Sequence, residues 1–136
     1  MRRAMTAGML CVGLLAGAPG CADQLPDQDL RILDATPAAK ISSDILWTEY
    51  QGDKSAADKR YWGKAVEITG RVTSVSQTPP RIIFQPQFAP AGIEARPLED
   101  RSAATLAAAT VGERMTLRCF CAGIETNVIL KSCIKP

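Results

Sequence analysis

The sequence predicts a mainly β domain: a five-stranded barrel with helical structure ahead of the first strand and a short helix between the third and fourth. Three observations predict it. Residues 64–76 alternate apolar and polar over an unusually long run, four shorter strand-like segments follow, and an alanine-rich stretch at 102–110 divides those segments two and two. The 136 residues are 46% hydrophobic and 22% charged, which suits one globular domain and is too apolar for a disordered tail. The chain has no histidine. That excludes a Ser-His-Asp triad, a Cys-His nucleophile pair, a zinc site built on imidazole and an imidazole acid or base near neutral pH.

The first twenty residues are expected to lie outside the fold. Arg2 and Arg3 precede an apolar run from Ala4 to Ala18, followed by Pro19, Gly20 and Cys21, which has the positive start, apolar core and small-residue end of an export signal. The run is shorter than the ~20 residues a membrane-crossing helix needs. Ala18-Pro19-Gly20-Cys21, with Leu14 and Leu15 upstream, resembles the lipobox of bacterial lipoproteins, which implies lipid on Cys21 as the mature N-terminus. The alternative is a soluble secreted or periplasmic protein cut after Ala18, where Pro19 past the bond is unfavourable. Residues 21–40 are predicted to be anchor and flexible linker, with Pro26, Pro37 and four aspartates. Leu30, Ile32 and Leu33 form a short apolar group that could dock on the domain at 41–136.

Within that domain, Ser42-Ser43-Asp44 reads as a helix start, with Ile45, Leu46, Trp47 and Tyr50 at helical spacing. Gly52 and Asp53 interrupt it, and Ser55 to Asp58 opens a second helical piece that stops at Gly63. In the strand at 64–76, Val66, Ile68, Gly70 and Val72 share one face. Gly70 suggests a bulge or bend that lets one strand serve two sides of a barrel. Strands at 81–84 and 93–97 follow, then the helix at 102–110 capped by Ser102. Strands at 114–121 and 127–134, joined by a loop containing Gly123, complete the order helix, three strands, helix, two strands. That is the OB-fold plan.

Two passages carry a family resemblance. Residues 50–64, from Tyr50 through Ala57-Asp58 and Tyr61 to Gly63-Lys64, lead into Val66-Glu67-Ile68-Thr69-Gly70-Arg71-Val72. Leu106, Val111-Gly112-Glu113 and Met115-Thr116-Leu117 lead to Cys121-Ala122-Gly123 and Val128 to Cys133. These resemble the opening and the closing hairpin of the tRNA_anti-like family of OB-fold envelope proteins, over roughly 43–134. The resemblance implies an OB fold, kinship with tRNA-anticodon-binding domains and export; the stretch from Pro79 to Asp100 matches nothing in it.

Cys119 and Cys121 share a strand face and cannot bond to each other. A simple hairpin register sets Cys121 opposite about Val128 and Cys133 opposite about Thr116, too far to bond without a bulge, and brings Cys119 nearer to Cys133. The family resemblance instead implies a Cys121–Cys133 disulfide. Cys119–Cys133 and buried thiols remain the alternatives, and three cysteines without a fourth ligand argue weakly for any metal. The candidate ligand face is Arg71, Arg81, Phe84 and Arg96. With Lys64, Arg114, Arg118, Trp62 and Phe88 these would make a cationic groove with stacking platforms. Glu67, Glu94, Glu99, Asp100 and Glu113 in the same segment favour an ordinary solvated surface.

Without residues 1–20 the 16 basic side chains fall to 14 against 14 acids, so the mature chain is neutral and a nucleic-acid partner is disfavoured. The expectation is a non-enzymatic binding or interaction module on the periplasmic side of the cell envelope, held at the membrane by lipid on Cys21, with no cofactor. Its partner would be an envelope protein or an oligomeric ligand, and the alternative is an oligonucleotide- or oligosaccharide-binding OB domain.

Overall fold

A computed structural model describes residues 25–136; the expected export signal at 1–20 and the expected lipidation site Cys21 lie outside them. A 3-10 turn at Leu30–Leu33 leads to β1 (Ala39–Ser42), then helices α1 (Ser43–Gly52) and α2 (Lys54–Tyr61). Ser42 caps α1 by accepting from the Ile45 amide. Asp53, rather than the expected Ser55, caps α2 through the Ala56 amide. Strands β2 (Ala65–Arg71), β3 (Ser74–Gln77), β4 (Pro80–Phe84) and β5 (Ile93–Pro97) follow, then α3 (Glu99–Ala107), β6 (Arg114–Ile124) and β7 (Val128–Ile134).

All strands join one seven-stranded sheet in the order β1-β2-β6-β7-β5-β4-β3. Two departures turn the expected five strands into seven. The long first strand is divided at Val72–Thr73 into β2, which pairs with β6, and β3, which pairs with β4. The backbone amide of Val72 donates to Glu113 while that of Thr73 donates to Ile83, so two consecutive residues serve opposite ends of the sheet. The bend expected at Gly70 thus occurs two residues later. Gly70 answers a different need: a Cβ there would lie 2.2 Å from Ser43 Oγ and 3.1 Å from the Phe84 ring.

The other additional strand, β1, comes from the stretch expected to be linker. It pairs in parallel with β2, Ala39 beside Val66 and Ile41 beside Ile68. The arm before it is docked as well. Ile32 is fully buried with Ala65, Leu98, Phe120 and Ile134, forming a second apolar cluster on the outer side of β2, β6 and β7. The main core lies on the other side, where Val66 and Ile68 of β2 meet Leu117 and Cys119 of β6, with Leu46, Trp47 and Tyr50 of α1 and Leu106 of α3 packed against them. Period two explains why β6 reaches both clusters: Leu117, Cys119 and Cys121 face inward and Phe120 outward.

Helix α3 begins three residues before the expected start. Ser102 does not cap it; the buried Ser102 hydroxyl donates to the carbonyls of Leu98 and Cys133 and ties the helix to β7. Replacing Ile32 with Ala should destabilise the domain by about 3 kcal/mol, since it empties the centre of the outer cluster. Chemical denaturation followed by tryptophan fluorescence will show the loss as a lowered midpoint; an unchanged midpoint would mean the arm is not part of the fold.

Candidate functional site

The β6–β7 hairpin decides the cysteine chemistry. Arg118 pairs with Ile134 but Phe120 pairs with Lys131, so β7 carries one extra residue. Ser132 takes it up with φ of 60°, a left-handed conformation uncommon for serine. The bulge carries Cys133 across from Cys119, and these two form the disulfide, over a sequence separation of 14. The Cys121–Cys133 pairing implied by the family resemblance is therefore corrected: Cys121 faces Leu130 instead and is a free, fully buried thiol. Burial pushes that thiol's pKa up, so it stays protonated. It lies 3.5 Å from the Tyr50 hydroxyl, which donates to Asp58 Oδ1 at 2.9 Å; burial and these acidic neighbours push the phenol up as well.

The four residues expected to form one ligand face are dispersed. Phe84 is 1% exposed and points into the core with Ile82, because alternation along β4 sends every second side chain inward. It cannot stack on a ligand. Arg81 and Arg96 both donate through Nε to Glu94 Oε2, at 3.2 and 2.8 Å, and so neutralise one carboxylate between them. Beside Arg96 lies a polar groove of about 360 Å³ lined by Trp62, Glu125, Asp27 and Lys131. Its Asp27–Lys131 ion pair, at 2.8 Å, holds the Asp27 carboxyl below its usual range through the hydrogen bond first and the lysine charge second. Arg118 is under the arm, donating to the Ile32 carbonyl at 3.3 Å.

Arg71 belongs to a separate cleft of about 470 Å³ at the other end of β2. Ala65, near the Trp62 groove, and Gly70, in this cleft, are five steps apart along the strand, about 17 Å. Its walls are the start of α1 (Ser42, Ser43, Asp44), the ends of β2 and β6 (Thr69, Arg71, Arg114) and the chain after β4 (Gln85, Pro86, Gln87). The next residue, Phe88, is 95% exposed with φ of 66°. Arg71 stands directly opposite Arg114 in the β2–β6 register and donates to the Gly112 carbonyl at 2.8 Å. Ser43, which sequence reasoning treated only as part of a helix start, is 3% exposed and contributes to the cleft wall. Its direction depends on the approach of α1 to Gly70, so nothing local to residues 42–44 signals it.

The tRNA_anti-like family model matches residues 7–134. The chain belongs to the tRNA_anti-like family. No curated protein matches it. Among solved structures it is similar to a putative nucleic acid-binding lipoprotein from Klebsiella pneumoniae, with a TM-score of 0.54 and 12% identity over 82% of this chain and all of that one. At that identity the likeness concerns the fold. The tRNA_anti-like chain is thus matched through the middle segment, 79–100, for which its sequence showed no family motif, and this segment supplies β4, β5 and the Arg81–Glu94–Arg96 cluster.

Cys119→Ser should remove the disulfide and cost about 3 kcal/mol, the value expected for a closed loop of this length. Cys121→Ser should leave the disulfide intact, and Cys121 itself should react with a thiol reagent only after unfolding. Non-reducing peptide mapping distinguishes the pairings; a Cys121–Cys133 peptide would refute this one.

Proposed function

We propose that the protein is an exported, lipid-anchored binding module of OB type acting at the cell envelope. The observation that carries the binding-module reading is the strand order. With β2 and β3 counted as one bent strand, the sheet follows the ring 1-4-5-3-2, the first strand reappears at its far end, and a helix lies between strands three and four. The ring is completed by the chain at Val72–Thr73 rather than by a ladder, and β1 is an addition to the plan. OB-type barrels bind oligomeric ligands across strands and loops. Arg81, Arg96 and the adjoining Trp62 groove occupy strand three and its neighbours, while Phe84 plays no part.

Export and anchoring rest on the three-part pattern ending at Cys21. The expected result is a membrane-fraction protein whose intact mass corresponds to a chain starting at Cys21 with acyl groups added, and Cys21→Ser should move it to the soluble fraction. An unmodified soluble wild-type protein would sink the anchored reading. The Klebsiella lipoprotein is described as nucleic acid-binding, but a mature chain of 14 bases and 14 acids lacks the charge that phosphate-driven binding needs. Single-stranded DNA titrated at low and moderate salt should therefore give flat curves; salt-sensitive binding would favour the oligonucleotide reading.

A further inference from the structure

We propose that the cleft between α1 and the ends of β2 and β6 binds an oxyanion, a phosphate or carboxylate group carried by a small polar ligand; this deepens the binding-module reading and rests on it. The first argument is electrostatic. Arg71 and Arg114 face each other across two strands, an arrangement that is destabilising for like charges. The molecule solves the same problem elsewhere by putting Glu94 between Arg81 and Arg96. Among the described residues neither Arg71 nor Arg114 has an ion-pair partner. Asp44, the one acid of the cleft wall, makes no ion pair with either.

The second argument is the set of hydrogen-bonding groups that line the cleft. Ser43 is almost wholly buried as a residue, and its hydroxyl opens on the cleft with no protein partner among the described residues, so it is free to bond a group held there. It packs over Gly70, where any Cβ would collide with Ser43 Oγ, so the floor of the cleft is kept free of side chain. Helix α1, ten residues long, begins at Ser43 and presents its positive end to the same space. The free groups of the cleft are the Ser43 hydroxyl, the Arg114 guanidinium and the N–H groups of Arg71 not engaged by Gly112, against one carboxylate, Asp44, so that two cations outweigh one anion. About 470 Å³ exceeds the need of a lone anion and leaves room for the polar body that carries it.

The test uses the full-length protein in neutral detergent, labelled with 15N and titrated with sodium phosphate and separately with sodium acetate, each against sodium chloride at matched ionic strength. Saturable shifts at the amides of Ser43, Gly70 and Arg114 are expected. Arg114→Gln should weaken binding roughly tenfold, and Ser43→Ala should weaken it to a smaller degree. Saturation by both anions identifies a general oxyanion site, and by phosphate alone a phosphoryl site. Melting gives an independent readout: phosphate should raise the wild-type Tm more than chloride does. Arg114→Gln should raise Tm without any anion, by relieving the repulsion, and then ignore phosphate. Shifts that never saturate, that chloride reproduces, or that persist unchanged in Arg114→Gln would overturn the proposal. Failure of membrane anchoring would appear as an unmodified wild-type protein in the soluble fraction and leave this titration unaffected.

Discussion

The extra residue in β7 is the constraint on which much else depends. By adopting a left-handed conformation, Ser132 shifts the hairpin register so that Cys133 meets Cys119. The same residue fixes the arm, because its hydroxyl accepts from the Asp29 amide at 2.8 Å and donates to the Asp27 carbonyl at 3.3 Å. Those bonds hold Ile32 over the pocket made by Leu98, Phe120 and Ile134, and Asp27 beside Lys131. One backbone irregularity therefore couples the covalent cross-link on the inner side of the sheet to the arm on its outer side. Ala or Val at 132 would lose the hydroxyl, and a β-branched side chain would resist the dihedral as well.

Charge placement follows a consistent logic across the molecule. Lys54 sits one helical turn from Asp58, Arg60 reaches Glu49, and Glu94 is shared by two arginines. Exposed pairs such as Lys54 with Asp58 contribute little to stability individually. Their value here is as a contrast: the molecule usually brings a carboxylate to its arginines, and Arg71 and Arg114 are the cross-strand pair for which none is brought.

Most elements were legible because their periods are strong. Val66, Ile68, Leu117 and Cys119 alternate as inward residues must, and the spacing of Leu46, Trp47 and Tyr50 marks the buried side of α1. The division of the first strand was legible as a bend but not its position, since Gly70 answers to Ser43 and Phe84, contacts distant in sequence. The arm was obscured by Pro26, Pro37 and its aspartates, a composition that suits a solvated tether; only tertiary burial of Ile32 overrides it. For the disulfide the hairpin register already brought Cys119 nearer to Cys133, and it was the family resemblance that pointed to Cys121, while the bulge at Ser132 that completes the pairing has no local signature; Phe84 was misplaced because strand phase in so short a segment as β4 is set by its partners. Of the cleft, the arginines were visible as cations, while their juxtaposition needed the register.

The docking of the arm also sets a geometry for the whole protein at a surface. Lys131 Nζ donates to the Leu25 carbonyl at 3.1 Å, so the chain is already fastened to β7 at the first residue described. From Cys21 to Leu25 is four residues, at most about 14 Å when fully extended. A lipid on Cys21 would then act as a short leash, not a long tether. On the anchored reading proposed above, the domain would stay close to the surface that holds it, with the Trp62 groove beside Leu25 at the anchored end of β2 and the Arg71 cleft at the other.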